Sequence, residues 1–339
     1  MKKIRLVSIL VMCLLVFAMI TSCAQTETTQ ATTAATTTAA MKIKVGVSMG
    51  ELTSEFCEGL RDGAVEKVEE LGGEAVYLGA DGDATKQATQ IEDLIAQGCK
   101  AIVAFATDTD AIMASGKACK DAGVIFAQFS RISPDLTNID LAVGFDNKDQ
   151  AYQCGEAIVS QAKVLGYDTI KCIELVGSLT DQNAIERQDY FEEFAKANKI
   201  EIVGKVLTDW NADQAYTGLK DAITAAGKDF NAIYCPSDFL FGASESALTE
   251  NGMYKTVKEA GHVILVGIDG GPNAMSYIRS GYADMTCNTD VMLLGRETVK
   301  LVFDMLATGK KYTEPVMIAP FPITQANVDD PALWGNVYK

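Results

Sequence analysis

Past residue 41 the sequence predicts an α/β fold made of two similar halves, each a parallel sheet flanked by helices. Two observations predict it. Apolar, β-branched runs of strand length alternate with longer stretches whose apolar residues recur at helical spacing, the pattern of repeated βα units. The alternation then starts afresh after Asn147, so a second sheet follows the first.

The first strand is read at 44–49, and the helix after it at 54–71, where Phe56, Leu60, Ala64, Val68 and Leu71 share one face. A strand at 75–78, a helix at 84–97, a strand at 101–106, a helix at 111–122 and a strand at 124–129 continue the order. The halves meet near Phe145-Asp146-Asn147. From there the pattern gives a helix to about 166, a strand at 169–175, a helix at 183–198 and a strand at 202–207. A helix at 212–226, a strand at 232–235, a helix at 241–251, a strand at 263–268 and a short helix after Pro272 complete the second half. A last long helix at 293–307 and a Pro-rich tail at 314–322 leave room for the chain to cross back between halves.

Ligands of open parallel sheets bind beyond the carboxyl ends of the strands, where loops diverge and helix amino termini point their N–H groups outward. That rule selects the loops 50–55, 107–110, 130–134, 177–182, 209–211, 237–239 and 269–273. They are rich in Asp, Asn, Ser, Thr and aromatic residues, whereas the strands feeding them are aliphatic.

The first forty residues read as an export and anchoring device. Lys2, Lys3 and Arg5 precede an apolar run from Leu6 to Ile20, and Ile20-Thr21-Ser22-Cys23 resembles a bacterial lipobox. The run is about 15 residues, short of the ~20 that span a bilayer. A signal peptide at 1–22, lipidation of Cys23 and a disordered Thr/Ala tether at 23–40 are therefore expected, with the body on the extracytoplasmic face of the membrane.

Acids outnumber bases 45 to 29, a net charge of −16 that falls to −19 without the three basic residues of the leader. Binding a phosphate backbone requires clustered Lys and Arg, and no basic run exceeds Lys310-Lys311, which argues against nucleic acid as a partner. Seven cysteines remain in the body, scattered and without a C-x-x-C pair, so they read as free, buried thiols. The single histidine, His262, reads as a surface turn residue. No Cys or His set has metal-ligand spacing, and no nucleophile elbow, P-loop or dinucleotide-binding turn is present. Neither a cofactor nor a metal is expected, and a lipid-anchored hydrolase, the competing reading from another class, lacks a nucleophile and base.

Several short segments carry a family likeness in their order and spacing. They are Phe56-Cys57-Glu58-Gly59-Leu60-Arg61-Asp62-Gly63-Ala64, Thr107-Asp108-Thr109-Asp110-Ala111, Gly144-Phe145-Asp146-Asn147, Ile185-Glu186-Arg187, Val266-Gly267-Ile268-Asp269-Gly270 and Arg279-Ser280-Gly281. Over residues 42–311 the chain resembles the type I periplasmic sugar-binding proteins of the ribose and galactose group, whose fold is shared with the ligand-binding cores of LacI-type repressors. The resemblance implies two Rossmann-like lobes joined by a three-strand hinge, with a sugar held between them and closure on binding. The lobes would be 42–146 plus 289–319 and 147–288 plus 320–339.

Carried over by position, the resemblance puts Phe56 where an aromatic packs on the ligand and Trp210 where a second one stacks. Arg131 and Arg187 fall where guanidinium groups donate to hydroxyls, Asp269 on the acid that accepts from two hydroxyls, and Asn288 on a polar amide near the hinge. Such a set suits a sugar, which has an apolar C–H face and a rim of hydroxyls. Three family contacts are changed: Phe105 replaces an asparagine, Ser130 an acid and Ser237 another asparagine. A pocket with Phe56, Phe105, Phe145 and Trp210 and fewer amides would be more apolar, suited to a sugar derivative, a nucleoside-like molecule or a signalling furanose instead of a plain pentose. The resemblance implies a monomer that delivers a monosaccharide or derivative to the permease of an ABC importer; presenting the closed form to a membrane sensor kinase is the alternative output.

Overall fold

The computed structural model describes residues 42–338. The expected leader, the tether and Cys23 lie outside the described residues. Strand β1 (Lys44–Met49) sends Val45, Val47 and Met49 to one side, where they pack with Leu60, Ala64 and Val68. On the other side, Gly46 lies against Leu94. Covering both faces in this way is what a parallel sheet demands, and it explains why its strands read as continuous apolar runs.

The first half continues as α1 (Glu55–Glu70), β2 (Glu74–Gly79), α2 (Ala84–Ala96), β3 (Ala101–Phe105), α3 (Met113–Asp121), β4 (Ile125–Phe129) and β5 (Leu141–Phe145). The second half is α4 (Asn147–Leu165), β6 (Ile170–Val176), α5 (Gln182–Ala197), β7 (Ile200–Leu207), α6 (Ala212–Ala225), β8 (Ala232–Tyr234), α7 (Phe241–Glu250), β9 (Ile264–Asp269), α8 (Pro272–Ser280) and β10 (Met285–Asn288). Then come α9 (Val291–Thr308), β11 (Val316–Ile318), β12 (Pro322–Ile323) and α10 (Trp334–Val337). The first sheet has the order β11-β5-β4-β3-β1-β2 and the second β12-β10-β9-β8-β6-β7. Among the described residues every pairing is parallel except that of β12 with β10.

The chain passes between the two sheets three times: from β5 into α4, from β10 into α9 and from β11 into β12. These three connections form the hinge of a two-lobed α/β molecule. Helix α9 returns to the N-terminal lobe and packs along α1. Glycines permit the close approach: a Cβ on Gly63 would fall 2.4 Å from the Met292 carbonyl, and one on Gly295 2.5 Å from that of Leu60.

Four strands are absent from the sequence pattern. β5 carries Gly144 within five residues, β10 is the short, half-polar Met-Thr-Cys-Asn, and β11 and β12 have three and two residues inside the Pro-rich stretch. Short or polar runs give too few alternations to register as strands. Helix starts were better marked, because the polar loops supply caps. Ser54, Asp83, Asp146, Asp181, Asn211 and Asp290 each accept a main-chain N–H from the first turn that follows.

The seven cysteines of the described residues are buried and unpaired. His262 corrects the sequence reading: it is 1% exposed rather than at the surface. Its ring nitrogens reach the Lys255 carbonyl at 2.7 Å and Asp284 at 2.9 Å, so the turn is pulled into the protein by two hydrogen bonds that a sequence does not display. Among the described residues no helix is long and apolar enough to cross a membrane.

Candidate functional site

The loops past the carboxyl ends of both sheets meet around one cleft that is partly open to solvent. The N-terminal lobe contributes Glu51, Phe56, Phe105, Ser130 and Arg131, and the C-terminal lobe Asp181, Asn183, Arg187, Trp210, Ser237, Phe239 and Asp269. Each lobe brings a tilted aromatic pair. Phe56 and Phe105 have ring centroids 6.3 Å apart, and Trp210 and Phe239 6.5 Å apart.

The lobes touch directly. Arg131 Nε lies 2.8 Å from Asp181 Oδ2, an ion pair across the cleft. Its Nη1 donates to the Ala106 carbonyl at 2.9 Å, its Nη2 to Glu51 Oε1 at 2.6 Å, and its guanidinium carbon sits 4.3 Å above the Phe105 ring. Burial would lower the guanidinium pKa, but the charges of Asp181 and Glu51 outweigh it and raise it. Asn183 Nδ2 donates to the Ser130 carbonyl at 3.2 Å, and Thr109 N to the Thr180 carbonyl at 3.2 Å. Trp210 Nε1 donates to Asp181 Oδ2 at 3.0 Å. Trp210 and Asp209 both lie in the left-handed region, at φ +53° and +50°. The indole covers Gly177 so closely that a Cβ there would fall 2.2 Å from its Cζ2.

Asp269 ends β9 at φ +117°, a strained conformation outside glycine. Ser237 Oγ donates to its Oδ2. Its Oδ1 is buried without a hydrogen-bond partner among the described residues, and Arg187 Nη1 stands off at 3.8 Å. Leaving such an atom unpaired costs about 1–3 kcal/mol, which an incoming hydroxyl donor would recover. Arg187 is itself held by Asn147 Oδ1 at 3.1 Å and by the Pro236 carbonyl at 2.7 Å. Burial pushes the Asp269 carboxyl up to about 6, opposed by Arg187. Behind it, Asp238 is pushed up to about 8 by burial and by the charge of Asp269. Asp238 Oδ2 accepts from Gly270 N at 2.7 Å, Gly271 N at 3.2 Å and Thr286 Oγ1 at 2.7 Å, which fixes the turn from β9 into α8.

A family model described as the periplasmic binding protein domain matches residues 45–311. The chain belongs to the periplasmic binding protein family. Among curated relatives, the D-xylose-binding periplasmic protein of Escherichia coli strain K12 is 23% identical over 316 residues, covering 88% of this chain and 92% of the relative. The ribose import binding protein of Bacillus subtilis strain 168 is 24% identical over 298 residues, with coverage of 88% and 92%. Among solved structures, an ABC transporter solute binding protein from Mycobacterium smegmatis with bound glycerol superposes with a TM-score of 0.76 at 25% identity, covering 85% of this chain and 96% of that one. The Caulobacter myo-inositol binding protein bound to myo-inositol gives a TM-score of 0.76 at 21% identity, covering 84% and 94%. The likeness extends to the type I two-lobe arrangement.

Of the ten positions expected at the site, Phe56, Phe105, Ser130, Arg131, Arg187, Trp210, Ser237 and Asp269 line this periplasmic binding protein's cleft. Phe145 does not. It ends β5 and lines a separate cavity toward the hinge with Ile132, Asn147, Pro315 and Met317. Asn288 is buried at the end of β10, paired in register with Asp269 and outside the lining, with its Oδ1 unpartnered among the described residues. Sequence reasoning missed Glu51, Asp181 and Phe239, although all three lie in loops the strand-end rule selects. Asp181 carries the only signal available, a cap-type residue at a helix start, and that signal says nothing of its second role.

Proposed function

We propose that this periplasmic binding protein captures a small sugar, polyol or close derivative between its lobes and delivers it to the permease of an ABC importer, without altering it. The observation that carries the reading is the buried Asp269 oxygen, unpartnered among the described residues, in a cleft lined by Phe56 on one wall and Trp210 on the other. Aromatic faces suit the C–H face of a hydroxylated ring, and a carboxylate with a free lone pair suits its hydroxyl rim. The names of the relatives agree, since they are said to bind D-xylose and ribose. Contacts with both lobes stabilise the closed form selectively, and that differential affinity shifts the population toward closure.

The missing family contacts leave recognition to fewer groups. Phe105 is covered by the Arg131 guanidinium and Ser237 is spent on Asp269, so Arg187, Asp269, Phe56 and Trp210 carry recognition. We place the protein on the outer face of the membrane, held by a lipid on Cys23 after removal of residues 1–22 and working as a monomer. A thermal-shift screen of D-xylose, D-ribose, xylitol, myo-inositol, furanoses and nucleosides tests the function, because a ligand that binds only the native state raises the melting temperature by mass action. Protection by none of them would overturn it. Metabolic labelling with a lipid precursor, lost in Cys23→Ala, tests the anchor.

A further inference from the structure

Beyond residue 311, where the family match ends, the chain runs through β11 and β12 into a segment that returns to the cleft. Val328 and Leu333 root this segment in the core of the C-terminal lobe, and α10 packs on α8. Trp334, 2% exposed, instead joins the apolar cluster of the N-terminal lobe with Leu60 and Val291. A Cβ on Gly59 of α1 would lie 3.7 Å from its Cζ3. Tyr338 extends the contact, its hydroxyl donating to Asp62 Oδ2 on α1 at 3.0 Å.

The same indole reaches the other lobe. Its Nε1 donates to the main-chain carbonyl of Asp269 at 2.8 Å, and that carbonyl also accepts from Thr289 N at 2.9 Å. The next residue, Gly335, is so close to the turn that a Cβ would fall 2.4 Å from the Gly270 carbonyl. Asp269 needs such support, because a non-glycine residue at φ +117° persists only where its surroundings fix it. Trp334 also lines, with Phe56, Phe239 and Asp269, a second cavity that adjoins the cleft.

We propose that Trp334 is a positioning residue: it holds the strained main chain of Asp269 in one lobe while its ring docks on α1 of the other, so that capture at Asp269 and closure of the lobes are coupled. The coupling to capture rests on the reading of Asp269 as a ligand acceptor. It is sharpest as a difference between two variants. Trp334→Phe keeps an apolar ring and loses the N–H, whereas Trp334→Ala loses both.

The test uses the full chain with D-xylose, D-ribose, xylitol and myo-inositol as probes. In Trp334→Phe, affinity for whichever probe protects the wild-type protein falls about tenfold, the size of one lost hydrogen bond. Amide exchange speeds up over 269–273 and 286–290 only, and the unliganded radius of gyration from X-ray scattering stays unchanged. In Trp334→Ala the affinity falls further and the unliganded radius increases. A merely structural tryptophan would lower the melting temperature and speed exchange throughout the C-terminal lobe, and that pattern would overturn the proposal. So would wild-type affinity and exchange in Trp334→Phe, or an unchanged radius in Trp334→Ala. If no probe protects the wild-type protein, the sugar reading fails on its own, and exchange and scattering still decide the role of Trp334.

Discussion

Arg131 in the N-terminal lobe and Asp181 in the C-terminal lobe are joined at 2.8 Å, and the oxygen that binds the guanidinium also takes the indole N–H of Trp210 at 3.0 Å. One carboxylate thus fastens the lobes and sets a wall of the cleft, besides capping α5 through Asn183 N. Both side chains of the pair are below a tenth exposed, so the pair is little screened by solvent. Asp181→Ala leaves Arg131 with one carboxylate partner among the described residues, Glu51. The expected result is a loss of about 3 kcal/mol in stability by denaturant unfolding and a larger radius of gyration without ligand. An unchanged radius would mean that the pair does not hold the lobes together.

Gly177 admits the Trp210 ring. A methyl group there overlaps Cζ2, Cη2 and Cε2 of the indole, all within 2.5 Å. Gly177→Ala should drive the ring out of place and weaken ligand binding by at least tenfold, while the melting temperature of the unliganded protein shifts by only a few degrees. Titration calorimetry beside differential scanning calorimetry separates the two effects. Equal binding in wild type and variant would remove Trp210 from the ligand's wall.

Burial pushes the Asp269 carboxyl up to about 6, and it is the charged form that serves as an acceptor. Affinity for a hydroxylated ligand should therefore hold above that pH and decline as pH falls through about 6, because protonation removes acceptor capacity from the carboxyl. Asp269→Asn should bind weakly at every pH and show no such decline. A wild-type affinity that stays flat between about pH 5 and about pH 8 would exclude Asp269 as the titrating acceptor.

Glu174 on β6 is fully buried, with both carboxylate oxygens unpartnered among the described residues. Burial pushes it up to about 8, with the charge of Glu192 adding and Lys205 opposing. A folded-state pKa above the unfolded value means that the native protein holds the proton more tightly. The stabilisation is complete below the ordinary glutamate range and is lost as pH rises through 8. Glu174→Gln should flatten the melting-temperature profile between about pH 4.5 and about pH 8, and match or exceed the wild type at the upper end. A parallel profile in the variant would show that Glu174 does not set this slope.

The fold was legible because its information is periodic. Helical spacing at Phe56, Leu60, Ala64 and Val68, and aliphatic runs such as Ala101–Phe105, announce βα units wherever an element is long enough to repeat. The edge and hinge strands β10, β11 and β12 are too short or too polar to do so. The site divides along similar lines. Strand-end loops pointed to the cleft, but which side chain turns into it depends on backbone details that no pattern encodes. Phe145 ends β5 facing the hinge cavity, whereas Phe105 ends β3, on the far side of β4, and lines the cleft. Asp181 resembles every other helix cap in the chain, and only the approach of the opposite lobe makes it an ion-pair partner. Trp334 stands more than 60 residues from the nearest cleft residue in sequence, so its bond to Asp269 is purely tertiary.

The tight seating of α9 on α1 bears on how this protein can come to be made. The N-terminal lobe gets its closing helix and its outermost strand from residues 291–318, after the whole second sheet up to β10 has been laid down. During synthesis, Leu60, Ala64 and their neighbours on α1 therefore lack their α9 partners until nearly the entire polypeptide has been made. A fragment ending at the close of β10 would have a bare apolar flank, and dissecting the molecule into a functional front and back half requires cutting and rejoining at the crossings, not a single scission.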